Sequence, residues 1–324
     1  MFKTVTPMEA KSAAALPTDE GWWFEPKWDG FRCIAVKTGG EVSLTAKSGK
    51  PLTRYFPEVV AHLSSLAAER FVLDGELLIQ VGGRYDFDAL QMRLHPAESR
   101  IRKLSIETPA IYAIFDLLLT PDGQDLRERP LAERRTALEA FSKAFGDQRL
   151  PLTPGTDDPR RAQEWLAEGK LEGVVAKRLD EPYRQGERAM IKVKRSRSAD
   201  CVVGGFRYGE GSRLVGSLLL GLYDDGGRLN HVGFTSGLAA ADKPALTERL
   251  EALRGGPGFT GDAPGGPSRW STERSAQWVP LRPELVVEVG FDHVSGGRFR
   301  HGTRLIRFRP DKAPEQCRCE QLDG

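Results

Sequence analysis

The sequence is poor in cysteine, in metal-ligand clusters and in long apolar runs. Its 324 residues include four cysteines, at positions 33, 201, 317 and 319, and five histidines that form no Cys/His cluster with zinc-ligand spacing. This pattern excludes a structural zinc site, and scattered cysteines are typical of a reducing compartment. No apolar run reaches about 18 residues, and residues 1–4 lack the apolar core of a signal peptide. We therefore expect a cytoplasmic protein that does not enter a membrane.

The two common glycine-rich nucleotide-binding loops are also missing. The chain has no Gly-x-x-x-x-Gly-Lys-Ser/Thr segment, and Gly209-Glu210-Gly211 is not followed by the third glycine of a dinucleotide fingerprint. Both loops bind phosphates through backbone N–H groups at the start of a helix. Nucleotide binding by either device is therefore disfavoured.

The net charge is small, but basic and acidic residues are separated along the chain. There are 47 Lys and Arg residues against 45 Asp and Glu, a formal net charge of +2. Two basic segments, 184–197 and 298–312, each hold six basic residues and one acidic residue, and the rest of the chain sums to −8. Clustered basic charge predicts phosphate-binding sites, although it is also the ordinary composition of a solvated face.

The length, at roughly 150 residues per domain, predicts two domains. Residues 1–195 mix β-branched runs with amphipathic stretches, the polar segment 196–200 predicts a linker, and residues 201–324 combine short strands with glycine-rich turns and one helical stretch. The fold class is therefore α+β, with a small C-terminal β-barrel of the OB type. The predicted strands are 33–36, 71–79, 111–119, 173–177, 190–194, 201–203, 217–223, 285–291 and 304–308, the predicted helices are 57–70, 131–141, 159–168 and 240–253, and the glycine-rich loop 254–269 is expected to be mobile.

The segment Phe24–Arg32 contains the first candidate for chemistry. Lys27 follows an apolar stretch and a proline and precedes Asp29 and the turn-forming Gly30, which places it at the end of a strand, partly shielded from water. Such shielding favours the neutral amine and makes a lysine nucleophilic. The alternative is a surface turn with an ordinary solvated lysine beside it.

Further charged motifs follow in order along the chain. Strand periodicity places Lys192 and Lys194 on one face, and two neighbouring ammonium groups repel each other unless an anion lies between them. A polyphosphate would supply that anion, and Glu76 and Glu172 could then hold a divalent cation. The alternatives are that Glu76 faces solvent, that Phe115 belongs to the core, and that Glu172 pairs with Lys170 or Lys177.

Six motifs follow one another along the chain: Lys27-Trp28-Asp29-Gly30 with Arg32, Asp74-Gly75-Glu76, Phe115-Asp116, Glu172-Gly173, Lys192-Val193-Lys194 and Arg309-Pro310-Asp311-Lys312. This ordered series resembles the motif set of the covalent nucleotidyltransferases, and in particular the ATP-dependent DNA ligases. Details such as Phe24–Arg32 and Pro51–Glu58 are similar to the short bacterial ligases associated with DNA double-strand-break repair. The resemblance implies a nucleotidyltransferase domain at 1–195, a hinge linker at 196–200 and an OB-fold domain at 201–324.

The resemblance also implies roles for individual residues. Lys27 would attack the α-phosphorus of ATP, releasing pyrophosphate and leaving a phosphoramidate to AMP. The remaining residues would bind the nucleotide, the metal and the leaving group: Lys192 and Lys194 the α-phosphate, Glu76 the ribose, Phe115 the adenine, Glu172 together with Glu76 a divalent cation (Mg²⁺ or Mn²⁺), Arg309 and Lys312 the pyrophosphate, and Glu25, Arg32 and Lys47 further parts of the nucleotide site.

One position departs from the family pattern. Related ligases usually carry an arginine in a Ser-Arg-Asn-Gly-like segment, whereas this chain reads Ala46-Lys47-Ser48-Gly49. Lys47 keeps the positive charge but lacks the bidentate geometry of a guanidinium, which weakens the expectation of strong 5′-phosphate recognition there.

These observations predict an ATP-dependent DNA ligase that seals nicks in duplex DNA, acts as a monomer and works with a DNA end-binding repair protein. The second domain is expected to close on ATP in the first step and to move away afterwards. An RNA ligase or a GTP-dependent capping-type enzyme uses the same chemistry and is the main alternative. A non-catalytic OB-fold protein that coats nucleic acid is a further alternative, but it would not require Glu76 or Glu172.

Overall fold

The protein is described by a computed structural model that covers residues 5–168, 171–195, 197–265 and 277–322. Its contacts divide the chain into two compact units, Met1–Arg195 and Ser196–Gly324. Within the described residues, no helix is both long enough and apolar enough to cross a membrane.

In the described part of the first unit there are two sheets and five α-helices. One sheet has the strand order β1-β9-β8-β2, and the other has the order β4-β3-β5-β6 with β7 also paired to β5. The strands are β1 (Ala10–Ala13), β2 (Trp22–Lys27), β3 (Phe31–Thr38), β4 (Glu41–Ala46), β5 (Arg70–Val81), β6 (Arg84–Tyr85), β7 (Ala110–Leu119), β8 (Gly173–Arg178) and β9 (Met190–Lys194). The helices are α1 (Pro57–Ser65), α2 (Phe87–Met92), α3 (Glu98–Glu107), α4 (Leu131–Phe145) and α5 (Pro159–Glu168).

The sheet that contains β9 pairs a strand from the beginning of the unit's sequence with a strand from its end. Strand β1 runs parallel to β9 with Ser12 opposite Lys192, while β8 pairs antiparallel with β9 and with β2. Glycine is required where β8 begins, because a Cβ atom on Gly173 would lie 2.2 Å from the carbonyl oxygen of Val193. This close approach holds the end of β2, and therefore Lys27, beside the end of β9.

Helix α1 is shorter than the predicted 57–70: it ends at Ser65. The ammonium group of Lys37, on β3, donates to the carbonyl oxygens of Leu63, Ser64 and Leu66 at 3.1, 2.8 and 2.7 Å. These carbonyl groups carry the partial negative charge of the helix C-terminus, which a buried cation stabilises. The chain then turns into β5 at Arg70.

The residues described in the second unit form mainly antiparallel sheet, together with the α-helix α6. Its largest sheet has the order β12-β11-β10-β14-β17, with β13 paired to β10. A bridge between Thr235, at the end of β12, and Thr303, just before β17, connects the two ends of this strand order. The elements are β10 (Arg197–Tyr208), β11 (Val215–Tyr223), β12 (Leu229–Thr235), α6 (Lys243–Glu251), β13 (Val279–Pro280), β14 (Val286–Phe291), β15 (Val294–Ser295), β16 (Arg298–Phe299) and β17 (Arg304–Phe308).

Two segments of the second unit differ from the sequence-based expectation. Residues 197–200 were predicted to be linker, but they begin strand β10 and pair with β14; Ser196 lies outside the described residues. The pattern missed this strand because its polar residues form hydrogen bonds and ion pairs at the sheet instead of an apolar face. In the glycine-rich loop 254–269, Phe259 packs into the core and Gly258 N–H donates to Leu281, whereas residues 266–269 lie outside the described residues.

Candidate active site

A cavity with a volume of about 990 Å³ lies in the first unit. Side chains from all parts of the unit converge on it, including strands of both sheets and the turn after β4. Seven of the predicted site residues line it, namely Glu25, Lys27, Arg32, Lys47, Glu76, Phe115 and Lys192. Motifs that lie far apart in the sequence of the first unit therefore meet in one place.

Lys27 and Lys194 are bridged by one carboxylate. Glu172, whose side chain is almost buried, contacts the ammonium group of Lys27 through Oε2 and that of Lys194 through Oε1, the latter at 3.2 Å. Of the two alternative partners for Glu172, Lys177 pairs with Glu25 instead, and Lys170 lies outside the described residues. A carboxylate held between the candidate nucleophile and a second cation is suited to exchange one of these partners for a metal ion.

Lys192 lies close to the same group of cations. Its pKa is lowered, first by burial and then by the positive charges of Lys27, Lys194 and Lys47, against the opposing effect of Glu172. Clustered ammonium groups of this kind raise the free energy of the empty site and stabilise a bound polyanion. The predicted anion site between the lysines is therefore consistent with the geometry.

Glu76 and Asp74 lie two residues apart on β5 and have different surroundings. Burial raises the pKa of Glu76 to about 8, although Lys27 and Arg32 oppose the shift. Asp74 is fully buried and accepts two hydrogen bonds from the Arg32 guanidinium, at 3.1 and 2.7 Å, and one from Tyr183 at 2.6 Å. At neutral pH, Glu76 is therefore mainly a neutral group that can donate a hydrogen bond, whereas Asp74 is the counter-ion of Arg32.

Arg32 is more constrained than the sequence suggested. Besides the paired hydrogen bonds to Asp74, its Nη1 donates to the carbonyl oxygen of Met8, and the Asp74 carboxylate outweighs burial and raises its pKa. Its guanidinium still lies 5.4 Å from the centre of the Phe115 ring and lines the cavity. Arg32 thus joins the N-terminal segment to β5 while presenting one side to the ligand space.

Glu25 and Phe115 are held by Lys177, a residue to which the sequence assigned no site role. Lys177 is buried, and its Nζ lies 2.6 Å from Glu25 Oε2 and 4.6 Å from the centre of the Phe115 ring. Trp23 Nε1 donates to the other Glu25 oxygen at 3.1 Å, and Arg135 lies 3.6 Å from that oxygen. Phe115 lines the cavity and is not part of the closed core. The sequence feature that could have identified Lys177 is the alternation of side chains along β8, which places Lys177 on the face opposite Ala176.

Lys47 lies at the mouth of the cavity on the turn after β4. Its Nζ is 3.3 Å from Glu9 Oε2, and the Lys47 side chain is 51% exposed. Ion pairs this exposed contribute little to stability and exchange partners readily. Lys47 is therefore accessible to an incoming anion, although without the paired N–H groups of an arginine.

Arg309 and Lys312 belong to the second unit, where Asp200 brings them together. Asp200 accepts from Arg309 Nη1 at 2.9 and 3.1 Å and from Lys312 Nζ at 2.6 Å. Arg309 also pairs with Asp311 at 2.8 Å, which lowers the pKa of the Asp311 carboxyl to about 2. The sequence had assigned Asp200 to the linker, and β10 places it in the sheet.

Comparison with known proteins agrees with this arrangement. The family described as "ATP dependent DNA ligase domain" matches residues 7–194, and the family described as "ATP dependent DNA ligase C terminal region" matches residues 211–312. DNA ligase C2 of Mycolicibacterium smegmatis is 43% identical, over 99% of this chain and 94% of that protein. DNA ligase C of Mycobacterium tuberculosis is 42% identical, over 98% of this chain and 94% of that protein.

A solved structure extends the agreement to the fold. The ligase domain of M. tuberculosis LigD matches with a TM-score of 0.51 and 30% identity, and the match covers 97% of each chain. These matches confirm the predicted fold class, a nucleotidyltransferase domain followed by a C-terminal domain. Together they show that the chain, whose first-unit motifs converge on one cavity, belongs to the family of ATP-dependent DNA ligases.

Proposed function

We propose that this ligase seals nicks in duplex DNA through a covalent intermediate in which AMP is attached to Lys27. The observation that carries the proposal is the position of Lys27 Nζ in the cavity, bonded to Glu172 and close to Lys192 and Lys194. Phosphoryl transfer requires mainly positioning and charge neutralisation, and a cluster of cations and a carboxylate provides both.

Three steps follow from this chemistry. The neutral Lys27 amine attacks the α-phosphorus of ATP, so that a P–N bond forms, the bond to the bridging oxygen breaks, and pyrophosphate and a proton leave. The 5′-phosphate oxygen of the nick then attacks the same phosphorus, which breaks the P–N bond and transfers AMP to DNA. The 3′-hydroxyl finally attacks the activated 5′-phosphate and releases AMP.

Glu172 is the residue best suited to hold a divalent cation. Its two carboxylate oxygens are of the type that Mg²⁺ and Mn²⁺ prefer, and their ammonium partners can be displaced towards the nucleotide phosphates. Glu76 fits this role less well, because a carboxyl group with a pKa of about 8 is mainly protonated at neutral pH. The bound ion would supply charge neutralisation at the α-phosphate, while Lys192 and Lys194 bind its oxygens.

The opposite end of the cavity suits adenosine. The neutral Glu76 carboxyl can donate to a ribose oxygen, and the Phe115 ring offers a stacking surface. Glu25 is a hydrogen-bond acceptor whose position is fixed by Lys177, so it would accept a hydrogen bond from the amino group of adenine. Guanine carries a carbonyl oxygen at the same position, and this second acceptor would be repelled by the Glu25 carboxylate. This arrangement favours ATP over GTP as the nucleotide substrate.

The remaining basic residues are assigned to phosphates of DNA and pyrophosphate. Lys47, with Arg32 behind it, would meet the 5′-phosphate of the nick, and Arg309 and Lys312 would orient the leaving pyrophosphate. The proposal assigns nucleotidyl transfer to the first unit, Met1–Arg195, and an OB-fold to the second unit, Ser196–Gly324. A role in DNA repair, with a DNA end-binding protein as partner of the monomer, rests on the similarity to the bacterial repair ligases.

The test uses α-labelled ATP with Mg²⁺ and the full chain. We expect an acid-labile, alkali-stable label on the wild-type protein and no label on Lys27→Ala, whereas Lys11→Ala, a change on the exposed edge strand β1, should label normally. Persistence of the label in Lys27→Ala would remove the assignment of the nucleophile. Labelling by GTP or preferential joining of RNA ends would support the capping-type or RNA-ligase alternative, and absence of label from all variants would support a binding protein.

A further inference from the structure

Asp200 forms the centre of an ion-pair group in the second unit. Its Oδ2 atom lies 3.1 Å from Arg309 Nη1 and 2.6 Å from Lys312 Nζ, and its Oδ1 atom lies 2.9 Å from the same arginine nitrogen. The side chains of Asp200, Arg309 and Lys312 are 12%, 20% and 23% exposed. These contacts are therefore shielded from water more than ordinary surface ion pairs.

The backbone of Asp200 is fixed as firmly as its side chain. The Gln321 side-chain amide accepts from Asp200 N–H at 3.0 Å and donates to Asp200 C=O at 3.2 Å. Within β10, Asp200 also pairs with Glu288 of β14. The carboxylate thus has a defined position from which it can determine where two longer and more flexible side chains lie.

Arg309 and Lys312 depend on this carboxylate to different degrees. Arg309 has a second partner in Asp311, at 2.8 Å. Among the described residues, Lys312 has no other carboxylate partner within ion-pair distance. Two cations placed side by side repel each other, and an anion between them removes most of that repulsion. Without the charge of Asp200, Lys312 in particular would move away from Arg309.

We propose that Asp200 is a positioning residue for the nucleotide-transfer step, acting through Arg309 and Lys312. It holds the two cations side by side on one carboxylate, where both can meet the oxygens of pyrophosphate. This inference rests on the proposed function, in which these two residues orient the leaving group. It predicts an effect on the formation and reversal of the Lys27–AMP bond and none on the later DNA steps, in which no pyrophosphate takes part.

The experiment compares Asp200→Asn with wild type in two reactions of the full chain. We expect the rate of labelling by α-labelled ATP to fall about 10- to 100-fold, the range for loss of one charge-assisted contact that orients a reacting group. The pyrophosphate concentration that removes half of the AMP from the labelled protein should rise about tenfold. Sealing of a nick that already carries AMP on its 5′-phosphate should change less than about twofold, because that reaction does not involve pyrophosphate.

Controls separate positioning from a loss of structure. Asp225→Asn removes an exposed carboxylate from the turn after β11 and should leave all three measurements unchanged. If Asp200→Asn folds poorly, sealing of the pre-adenylylated nick will fall together with labelling, and Asp200→Glu, which keeps the charge, then serves as the test variant. Asp200→Glu should recover most of the labelling rate.

A double-mutant comparison decides whether Asp200 acts through Lys312. In a Lys312→Ala background, Asp200→Asn should lower the labelling rate by much less than in wild type, because the group that it positions is missing. Equal effects in the two backgrounds, or a normal labelling rate in Asp200→Asn, would overturn the proposal. Such a result would leave the assignment of Lys27 intact, since that assignment depends on whether Lys27→Ala is labelled.

Discussion

The raised pKa of Glu76 predicts that the first unit becomes less stable as the pH rises towards 8. In the folded protein burial raises its pKa to about 8, from a reference value of 4.5. Between these two values the folded carboxyl keeps a proton that the unfolded one has lost, so the folded state binds more protons. The free energy of unfolding must therefore fall as the pH rises through this range, and the loss must level off above pH 8.

The magnitude follows from the two pKa values. The linkage relation gives a loss of about 2 kcal/mol between pH 6 and pH 8. Glu76→Gln has nearly the same shape and cannot ionise, so it avoids this loss. We therefore expect the difference in free energy of unfolding between Glu76→Gln and wild type to increase by about 2 kcal/mol from pH 6 to pH 8.

Urea denaturation at a series of pH values, followed by tryptophan fluorescence, measures this difference. The two units can unfold in separate transitions, so the comparison uses the transition whose midpoint changes in Glu76→Gln, which is that of the first unit. Glu69→Gln, an exposed carboxylate just before β5, is the matched control and should show no such trend. A difference between Glu76→Gln and wild type that stays constant from pH 6 to pH 8 would refute the conclusion that Glu76 is neutral.

Three further predictions concern the first unit. Lys37→Met removes the cation at the end of α1 and should lower the free energy of unfolding by about 2 kcal/mol in urea titrations, and an unchanged midpoint would contradict the capping role. Arg134→Met leaves the buried Asp116 carboxylate without its paired hydrogen bonds and should cost about 3–5 kcal/mol by the same measurement, while a loss below about 1 kcal/mol would count against it. Lys47→Ala should reduce the slope of log affinity against log salt for nicked DNA by about 0.9 in fluorescence anisotropy, and an unaltered slope would show that Lys47 does not meet a DNA phosphate.

The order of motifs predicted which side chains would meet. Lys27, Glu76, Phe115 and Lys192 lie far apart in sequence, and in the structure they line one cavity. Each of these motifs occupies the end or the interior of a strand, where alternation determines which face a side chain occupies. The family, the α+β fold class and the activity as an ATP-dependent DNA ligase are confirmed by the comparisons.

The pairing of charged residues across strands could not be predicted. Lys177 meets Glu25 only because β8 and β2 pair in one particular register, which a sequence pattern does not specify. Asp200 was assigned to a linker because the segment before it has no apolar periodicity, although its polar groups are satisfied within the sheet. The end of α1 depends on Lys37, which comes from a strand that lies elsewhere in the sequence.

The parallel pairing of β1 with β9 has a consequence for how the protein folds. The strands β3, β4 and β5 are neighbours in sequence and form antiparallel pairs, so their sheet contains mostly local contacts. The other sheet places Ser12 beside Lys192, and its formation must close a loop of nearly the whole unit. During synthesis β1 cannot form this pairing until β9 has left the ribosome, and β9, which carries Lys192 and Lys194, is the last described strand of the unit. The cavity that Lys192 lines is therefore completed only after almost the whole unit has been synthesised.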